Sequence, residues 1–362
     1  RHAVLLPEDL ELIEAMLRDG ETWAIVDALA AKVVGSVVRR FPGETGPVLE
    51  AALREHGYTL GHFPQSFEYS TVGGWVVTRS SGQQSLRYGR IEQLFAGGHL
   101  ETPVGPLRIP TFPASSAGPD LRELVLGSEG RFGVLTEATV RVTPLPEHES
   151  FHAIFLPDWD AAEEAVRTLV QRKLPLSMMR LSNGIETETN LTLAGHATLI
   201  GAMEKYLGIR GCGEGKCMLM LGVSGDTRGA RFALKEAREH LAKFGAVYIG
   251  TAMGSKWAAN RFKGPYLRNT LWELGYAADT IETAVDWPQV KPLMLAMEQA
   301  ARDVFAAYGE RVHAFTHLSH LYPQGSSIYS QYVWPTAPGG FAPNFARWQA
   351  LKKAVAAQIA AH

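Results

Sequence analysis

Along the second half of the chain, apolar positions switch repeatedly between a period near two and a period near 3.6, as strands alternating with helices require. Residues 151–156 form an apolar strand-like run, Asp158 or Asp160 then offers a helix N-cap, and Ala162, Val166, Leu169 and Val170 fall on one helical face. Residues 217–223 again read as strand. Leu234, Ala237, Leu241 and Phe244 make a helical stripe that ends at Gly245, and residues 246–251 return as strand. Pro288, at a first-turn position, opens a third helix that carries Leu293, Met297, Ala300, Val304 and Tyr308 and stops at Gly309. Residues 312–321 and 326–334 read as strands flanking a Pro323-Gln-Gly325 turn. Repeated β-α-β pieces on one antiparallel sheet predict an α+β domain with helices packed on the sheet.

The first ~145 residues carry short apolar strands separated by turn signals. They end in Gly133-Val-Leu-Thr-Glu-Ala-Thr-Val-Arg-Val-Thr143, whose β-branched content argues for strand, and Pro144-Leu-Pro146 marks a boundary. The expected organisation is a first domain over 1–146, a second over 147–340, and a helical segment over 341–362 that returns to the first. A length of 362 residues agrees with two domains at ~150 residues each.

With 46% apolar and 20% charged residues the composition is that of a globular chain, and a net charge of −2 leaves no electrostatic footprint for a polyanion. Nucleic acid is therefore excluded as the expected partner. No apolar run reaches the ~20 residues of a membrane span and the first residues lack a signal-peptide pattern, so the expected location is intracellular, cytoplasmic or peripheral to a membrane. Cys212 and Cys217 have no second pair to complete a metal site and read as reduced thiols.

Three separated blocks carry the chemical signal: Gly61-His-Phe-Pro-Gln-Ser-Phe-Glu-Tyr-Ser-Thr-Val-Gly-Gly-Trp75, Thr78-Arg-Ser-Ser81 and Gly127-Ser-Glu-Gly-Arg-Phe-Gly133. Small hydroxyl residues and paired glycines suit a backbone that approaches a bulky polar ligand and presents N–H groups to it. The glycine spacing of the last block is not the G-x-G-x-x-G of a dinucleotide-binding βαβ unit. Together the blocks resemble, in order and spacing, the PCMH-type FAD-binding domain of the vanillyl-alcohol-oxidase superfamily. With Tyr88-Gly-Arg-Ile-Glu92 they resemble its alkyldihydroxyacetonephosphate (alkylglycerone-phosphate) synthase branch most.

The resemblance implies a PCMH-type FAD-binding domain beside an α+β substrate (cap) domain, non-covalent FAD, and contacts to it through three groups of residues. These are Gln65, Ser66, Phe67, Glu68, Tyr69, Ser70, Thr71, Gly73 and Gly74; then Thr78, Arg79, Ser80 and Ser81; then Glu129, Gly130, Arg131, Phe132, Gly133, Val134 and Leu135. Family members often carry Asp where Gln65 stands, and Trp75 is expected to pack rather than react. The family's pyrophosphate loop is missing, with its expected place near residues 18–21 and a shorter loss near Gly35-Ser36. Residues 347–362 resemble the helix before the family's histidine-rich loop and last flavin-contacting segment. The resulting expectation is that the sequence is the ordered part of a longer protein, whose pyrophosphate loop and C-terminal segment are absent from it because FAD was absent.

On the substrate side, Tyr322-Pro-Gln-Gly-Ser-Ser-Ile-Tyr329 matches the segment that holds the family's catalytic tyrosine, which places that role on Tyr329. A phenol ionises near ~10, so a base role at neutral pH requires nearby cations or the flavin. Arg268, in Pro265-Tyr-Leu-Arg268, is the expected neighbour, and Arg180 matches a second arginine the family needs; guanidinium groups suit a substrate phosphate. Thr280, His317 and His320 are expected to line the substrate pocket. His313, His317 and His320 alternate faces on a strand, so they do not converge on a metal, and none is expected.

The reaction implied by the resemblance exchanges the acyl group of acyl-dihydroxyacetone phosphate for a fatty alcohol, giving an ether-lipid precursor. Tyr329 takes a proton from C1 and flavin N5 holds the carbon skeleton as an adduct, which predicts ping-pong kinetics. The implied partners are these lipid substrates, a second copy in a homodimer, and peripheral contact with a membrane surface, though no basic amphipathic helix stands out to make that contact. The alternative is an FAD-linked oxidase or dehydrogenase of a 2-hydroxy acid or alcohol, to which Ser330-Gln-Tyr-Val-Trp334, lacking the usual aromatic run, points. A third reading, that the chain is complete, makes it a flavin-free remnant or binding module.

Overall fold

The structure is a computed structural model that describes residues 45–195 and 197–362. The expected loss of a pyrophosphate loop near residues 18–21, and the shorter one near Gly35-Ser36, lie outside the described residues. Chain contacts divide the described part into two units. One comprises residues 45–57, 66–79 and 95–140, and the other residues 58–65, 80–94 and 141–362.

The first unit holds helices α1 (Gly46–Glu55) and α2 (Val72–Val77) and three strands, β1 (Phe95–Thr102), β2 (Gly105–Ile109) and β3 (Val134–Val140). The strands form an antiparallel sheet in the order β2-β1-β3. β3 is the strand expected from its β-branched residues, shorter at both ends. Thr71 starts α2 by accepting a hydrogen bond from Gly74 N at 3.0 Å, which satisfies a first-turn amide. Trp75 is 2% exposed, lies parallel to Phe67 at 6.2 Å between ring centroids, and donates from Nε1 to Ser70 Oγ at 2.6 Å. It packs, as its sequence context implies.

The second unit is built on strands β4 (His148–Leu156), β5 (Met178–Ser182), β6 (Cys217–Gly225), β7 (Val247–Gly250), β8 (Tyr276–Asp286), β9 (His313–Leu318) and β10 (Gly325–Pro335). They form one antiparallel sheet in the order β8-β10-β9-β5-β6-β4-β7. The helices are α3 (Trp159–Gln171), α4 (Gly184–Leu193), α5 (Ala197–Ile209), α6 (Thr227–Ala242), α7 (Ala252–Asn260), α8 (Gly264–Glu273), α9 (Trp287–Ala306) and α10 (Phe341–Ala361). Asp158, not Asp160, caps α3, accepting from Ala161 N at 2.9 Å, and Pro288 sits in the first turn of α9. The strand expected over 312–321 stops at Leu318, so His320 lies beyond it, and a single bridge from Leu321 to Ser326 closes the turn.

Period-two alternation sorts the strands' side chains onto two faces. On one face Ile154, Leu181, Leu219, Leu221, Leu318, Ile328 and Tyr332 join residues of α3, α6, α9 and α10 in the main core. The other face carries smaller apolar clusters, Phe151, Ala153, Met178 and Met220 with Trp257, and Phe155, Met218 and Val247 with Leu191 and Leu207. Along that second face, apolar residues at the β7 end give way to polar ones toward β8: Arg180, Ser182, His317, Tyr329, Gln331, Thr280 and Glu282. Residues 58–65 and 80–94 pack with this second unit, as do residues 341–362, with Leu351 and Val355 fully buried in its core.

Candidate active site

In the first unit the residues expected at the flavin form a glycine-rich loop and the turn after α2. Gly127, Gly130 and Gly133 have φ of 75°, 79° and 149°, and two non-glycine residues, Arg79 and Glu129, also hold left-handed backbone at 54° and 52°. A Cβ on Gly133 would stand 2.0 Å from Glu101 O, so the protein's own packing demands that glycine. Gly73 differs: the nearest atom to an added Cβ is Leu135 O at 3.7 Å, leaving its side open for a ligand. Glu129 N donates to Val77 O at 2.9 Å and Arg79 pairs with Glu123, which fixes the loop to α2. Ser128 is 7% exposed and its Oγ has no partner among the described residues. An orphaned hydroxyl, an open glycine and strained turns fit a flavin.

Gln65, Ser80 and Ser81 belong to the second unit, where their side chains are already engaged. Gln65 Nε2 donates to Arg261 O at 2.9 Å, and Ser80 Oγ lies 2.7 Å from His62 Nε2. Ser81 Oγ and Ser85 Oγ lie 3.2 and 3.3 Å from His320 Nδ1. Burial first, then the positive Arg90, push His320 down to about 4; burial, His320 and Arg90 push His62 down to about 3. Both rings are neutral at neutral pH.

The substrate-side residues gather on the polar end of the β5-β9-β10-β8 face. His317 pairs with Tyr329 across β9 and β10 and with Ser182 across β9 and β5, while Tyr329 pairs with Glu282, and Gln331 with Thr280, across β10 and β8. The His317 and Tyr329 rings stack at 4.7 Å and 22°. Arg180 Nη2 donates to Glu186 Oε1 at 2.7 Å and lies 3.0 Å from His317 Nδ1, which is itself 2.9 Å from that same Glu186 oxygen. Gln331 Nε2 donates to it as well, at 3.1 Å.

Electrostatics set the protonation states. Burial alone would raise the Glu186 carboxyl, but Arg180 and then His317 override it and hold it down to about 2. Burial lowers His317, with Arg180 adding to the effect, so the imidazole is neutral. Burial raises Tyr329; Thr280 and the Arg180 charge pull the other way and do not cancel it. Tyr329 is thus a phenol at neutral pH, and Arg180 is the cation that acts on it. Arg268 is exposed on α8, and no hydrogen bond or ion pair joins it to Tyr329. Burial also raises Glu282, although 41% of its side chain reaches solvent and mutes the effect.

Four participants escaped the sequence reading: Glu186, Gln331, Glu282 and His62. Asn183-Gly-Ile-Glu186 has the spacing of a helix-start capping box, in which a glutamate reaches back to the cap. Asn183 Oδ1 does accept from Glu186 N at 2.9 Å, but the Glu186 carboxylate turns to Arg180 and His317 instead. Glu282 was findable, since period two puts it on the same face as Thr280. Among the described residues no group of three or more His, Cys, Asp or Glu is placed to hold a metal ion, and His313 is exposed with Nε2 2.8 Å from Thr189 Oγ1. Both cysteines are free and buried. No helix among the described residues is long and apolar enough to cross a membrane.

Residues 28–108 match the FAD binding domain, and residues 145–357 match the FAD linked oxidases, C-terminal domain. The chain is 31% identical over 294 residues to the alkyldihydroxyacetonephosphate synthase of Dictyostelium discoideum, covering 79% of this chain and 48% of that protein. It is 28% identical over 292 residues to an uncharacterized FAD-linked oxidoreductase of Escherichia coli (strain K12), covering 79% and 57%. A solved structure of an alkyldihydroxyacetonephosphate synthase superposes with a TM-score of 0.76 at 29% identity, over 87% of this chain and 57% of that one. The chain spans about half the length of the curated relatives it matches. Its cofactor is FAD, its fold is α+β, and the chain belongs to the FAD-linked oxidase family.

Proposed function

We propose that this chain belongs to an FAD-dependent alkylglycerone-phosphate synthase-type enzyme, which exchanges the acyl group of acyl-dihydroxyacetone phosphate for a fatty alcohol. The supporting observation is Arg180. Its Nη2 is spent on Glu186, whereas its Nε and Nη1 make no hydrogen bond among the described residues, and the side chain is 24% exposed beside Tyr329. A fixed guanidinium with donors to spare suits a phosphate ester.

The flavin, when bound, supplies the electrophilic centre for carbon, and the protein supplies orientation and electrostatics. Glu129, Gly130, Gly133 and Gly73 would hold it through the loop beside α2, with the Ser128 hydroxyl completing a partner set. Arg180 binds the substrate phosphate. Tyr329 Oη exchanges the proton at the reacting carbon, with the Thr280 hydroxyl and Arg180 favouring its phenolate against burial. His317 and His320, both neutral, line the pocket without adding charge. The products balance as alkyl-dihydroxyacetone phosphate and free fatty acid, with no net redox change.

Incubating the full-length protein and FAD with acyl-dihydroxyacetone phosphate and isotope-labelled fatty alcohol tests this. Label in an ether product, with one fatty acid released per ether formed, is expected; fatty acid release without ether would overturn it. The second reading, an FAD-linked oxidase of a 2-hydroxy acid, draws on Gln331 standing where an aromatic residue is expected, and on the oxidoreductase among the relatives. Reduction of bound flavin by lactate or glycolate, with no turnover of the acyl lipid, would favour it. Association with a membrane surface and a homodimeric state belong to the same proposal, tested by co-sedimentation with anionic liposomes and by light scattering.

A further inference from the structure

One oxygen in the second unit carries an unusual share of the polar geometry. Glu186 Oε1 receives Arg180 Nη2 at 2.7 Å, His317 Nδ1 at 2.9 Å and Gln331 Nε2 at 3.1 Å, while Oε2 has no partner among the described residues. The side chain is 2% exposed, so this carboxylate has no contact with bulk water to spare and no surface role. A buried charge costs several kcal/mol unless donors surround it, and here the donors are residues that share the sheet face with Tyr329.

We propose that Glu186 is the positioning residue of the site. It clamps the Arg180 guanidinium in one orientation, and it fixes His317 as the Nδ1–H tautomer with an open Nε2 lone pair beside Tyr329. This deepens the synthase reading and rests on it for the identity of the reaction, though not for the geometry.

The tautomer follows from the neighbours of Nδ1. Arg180 Nη2 only donates, so its contact at 3.0 Å would call for an accepting lone pair on Nδ1, but that lone pair would then face a full carboxylate charge at 2.9 Å. A proton on Nδ1 turns the second contact into a charge-assisted hydrogen bond, which is the stronger of the two. Nε2 has no partner among the described residues, so its lone pair is available to a substrate hydroxyl or a water. Gln331 adds the third donor, so a residue that departs from the expected aromatic run has a defined task.

The test uses the full-length protein loaded with FAD and labelled with 15N-histidine, with His317→Asn to assign the resonance. Wild type is expected to show the Nδ1–H tautomer for His317, and Glu186→Gln to lose it. Inorganic phosphate, followed by Arg chemical-shift titration, is expected to bind at least ~10-fold more weakly to Glu186→Gln. With acyl-dihydroxyacetone phosphate, kcat/KM is expected to fall about 100-fold, shared between KM through Arg180 and kcat through His317. Glu186→Asp is expected to recover part of each effect. An Nε2–H tautomer in the wild type overturns the proposal whether or not any variant folds. Unchanged tautomer and phosphate affinity in a folded Glu186→Gln protein overturns it too. If the tautomer and phosphate results hold but no acyl lipid is turned over, the positioning role stands and the synthase reading fails.

Discussion

His317 and Tyr329 face each other across β9 and β10, and their rings stack 4.7 Å apart. The pairing puts a neutral imidazole against a phenol in a half-buried setting, with the Arg180 charge as the counterweight to burial. Their protonation states therefore depend on each other and on Arg180.

Tyr329→Phe removes the hydroxyl and leaves the stack. Turnover is expected to fall at least ~100-fold while FAD binding and the thermal midpoint stay close to wild type. Because burial raises the phenol above its usual value near 10, wild-type kcat/KM is expected to climb through the alkaline range as phenolate forms. A profile that peaks below pH 7 would rule out Tyr329 as the base.

Arg180→Lys keeps the charge and loses the planar donor set. An ammonium cannot serve Glu186 and a phosphate at once from the same position, so KM for a phosphate-bearing substrate is expected to rise at least ~10-fold. Steady-state kinetics with acyl-dihydroxyacetone phosphate against its phosphate-free analogue check this. Equal losses for both substrates would remove Arg180 from phosphate recognition.

Acid lability follows from three buried histidines. His62 is pushed down to about 3, and His152 and His320 to about 4, mainly by burial. A histidine whose folded pKa lies below its unfolded value near 6.5 binds protons more readily when unfolded, so stability is intact above that value and falls as pH drops from 6.5 toward 4. His152 sits in a chain of contacts, Ser150 Oγ at 2.9 Å and Tyr248 OH at 2.9 Å, that would have to reorganise on protonation. Glu186, held down to about 2, adds its own loss only in more acid solution. Thermal midpoints should hold from pH 7.5 to about 6.5 and fall from there to 4.5, and a profile flat throughout would contradict the assignment.

Glu298 supports the site from the main-core side of the sheet. It is 2% exposed and accepts from Asn183 Nδ2, Thr316 Oγ1 and Arg302 Nη2, each at 2.8 Å. Since Asn183 also caps α4, which carries Glu186, Glu298→Ala unseats three donors together, two of them, Asn183 and Thr316, buried. A loss of about 3 kcal/mol in denaturant unfolding is expected, and one below about 1 kcal/mol would show that the network is dispensable.

Sequence pattern exposed the strands and helices of the second unit because most of them bury one regular face. The Ala162, Val166, Leu169 and Val170 stripe became α3, and the Leu234, Ala237 and Leu241 stripe became α6. Helix α8, which carries Arg268, has no buried residue and left no such stripe to read. Tyr329 and Arg180 were legible only through resemblance, since a lone tyrosine or arginine on a strand has no distinguishing periodicity. Glu186 was hidden because its spacing from Asn183 is satisfied by local capping, while the carboxylate's actual partners lie 131 residues away at His317 and 145 away at Gln331. The interleaving of residues 58–65 and 80–94 with the second unit likewise depends on long-range packing that no local signal reports.

The central claim is tested most directly by the visible spectrum of the full-length protein with FAD, recorded without oxygen as palmitoyl-dihydroxyacetone phosphate is added. The account predicts that the flavin band bleaches with this substrate and recovers when a fatty alcohol follows. A band that ignores the acyl lipid but bleaches with a 2-hydroxy acid would contradict it.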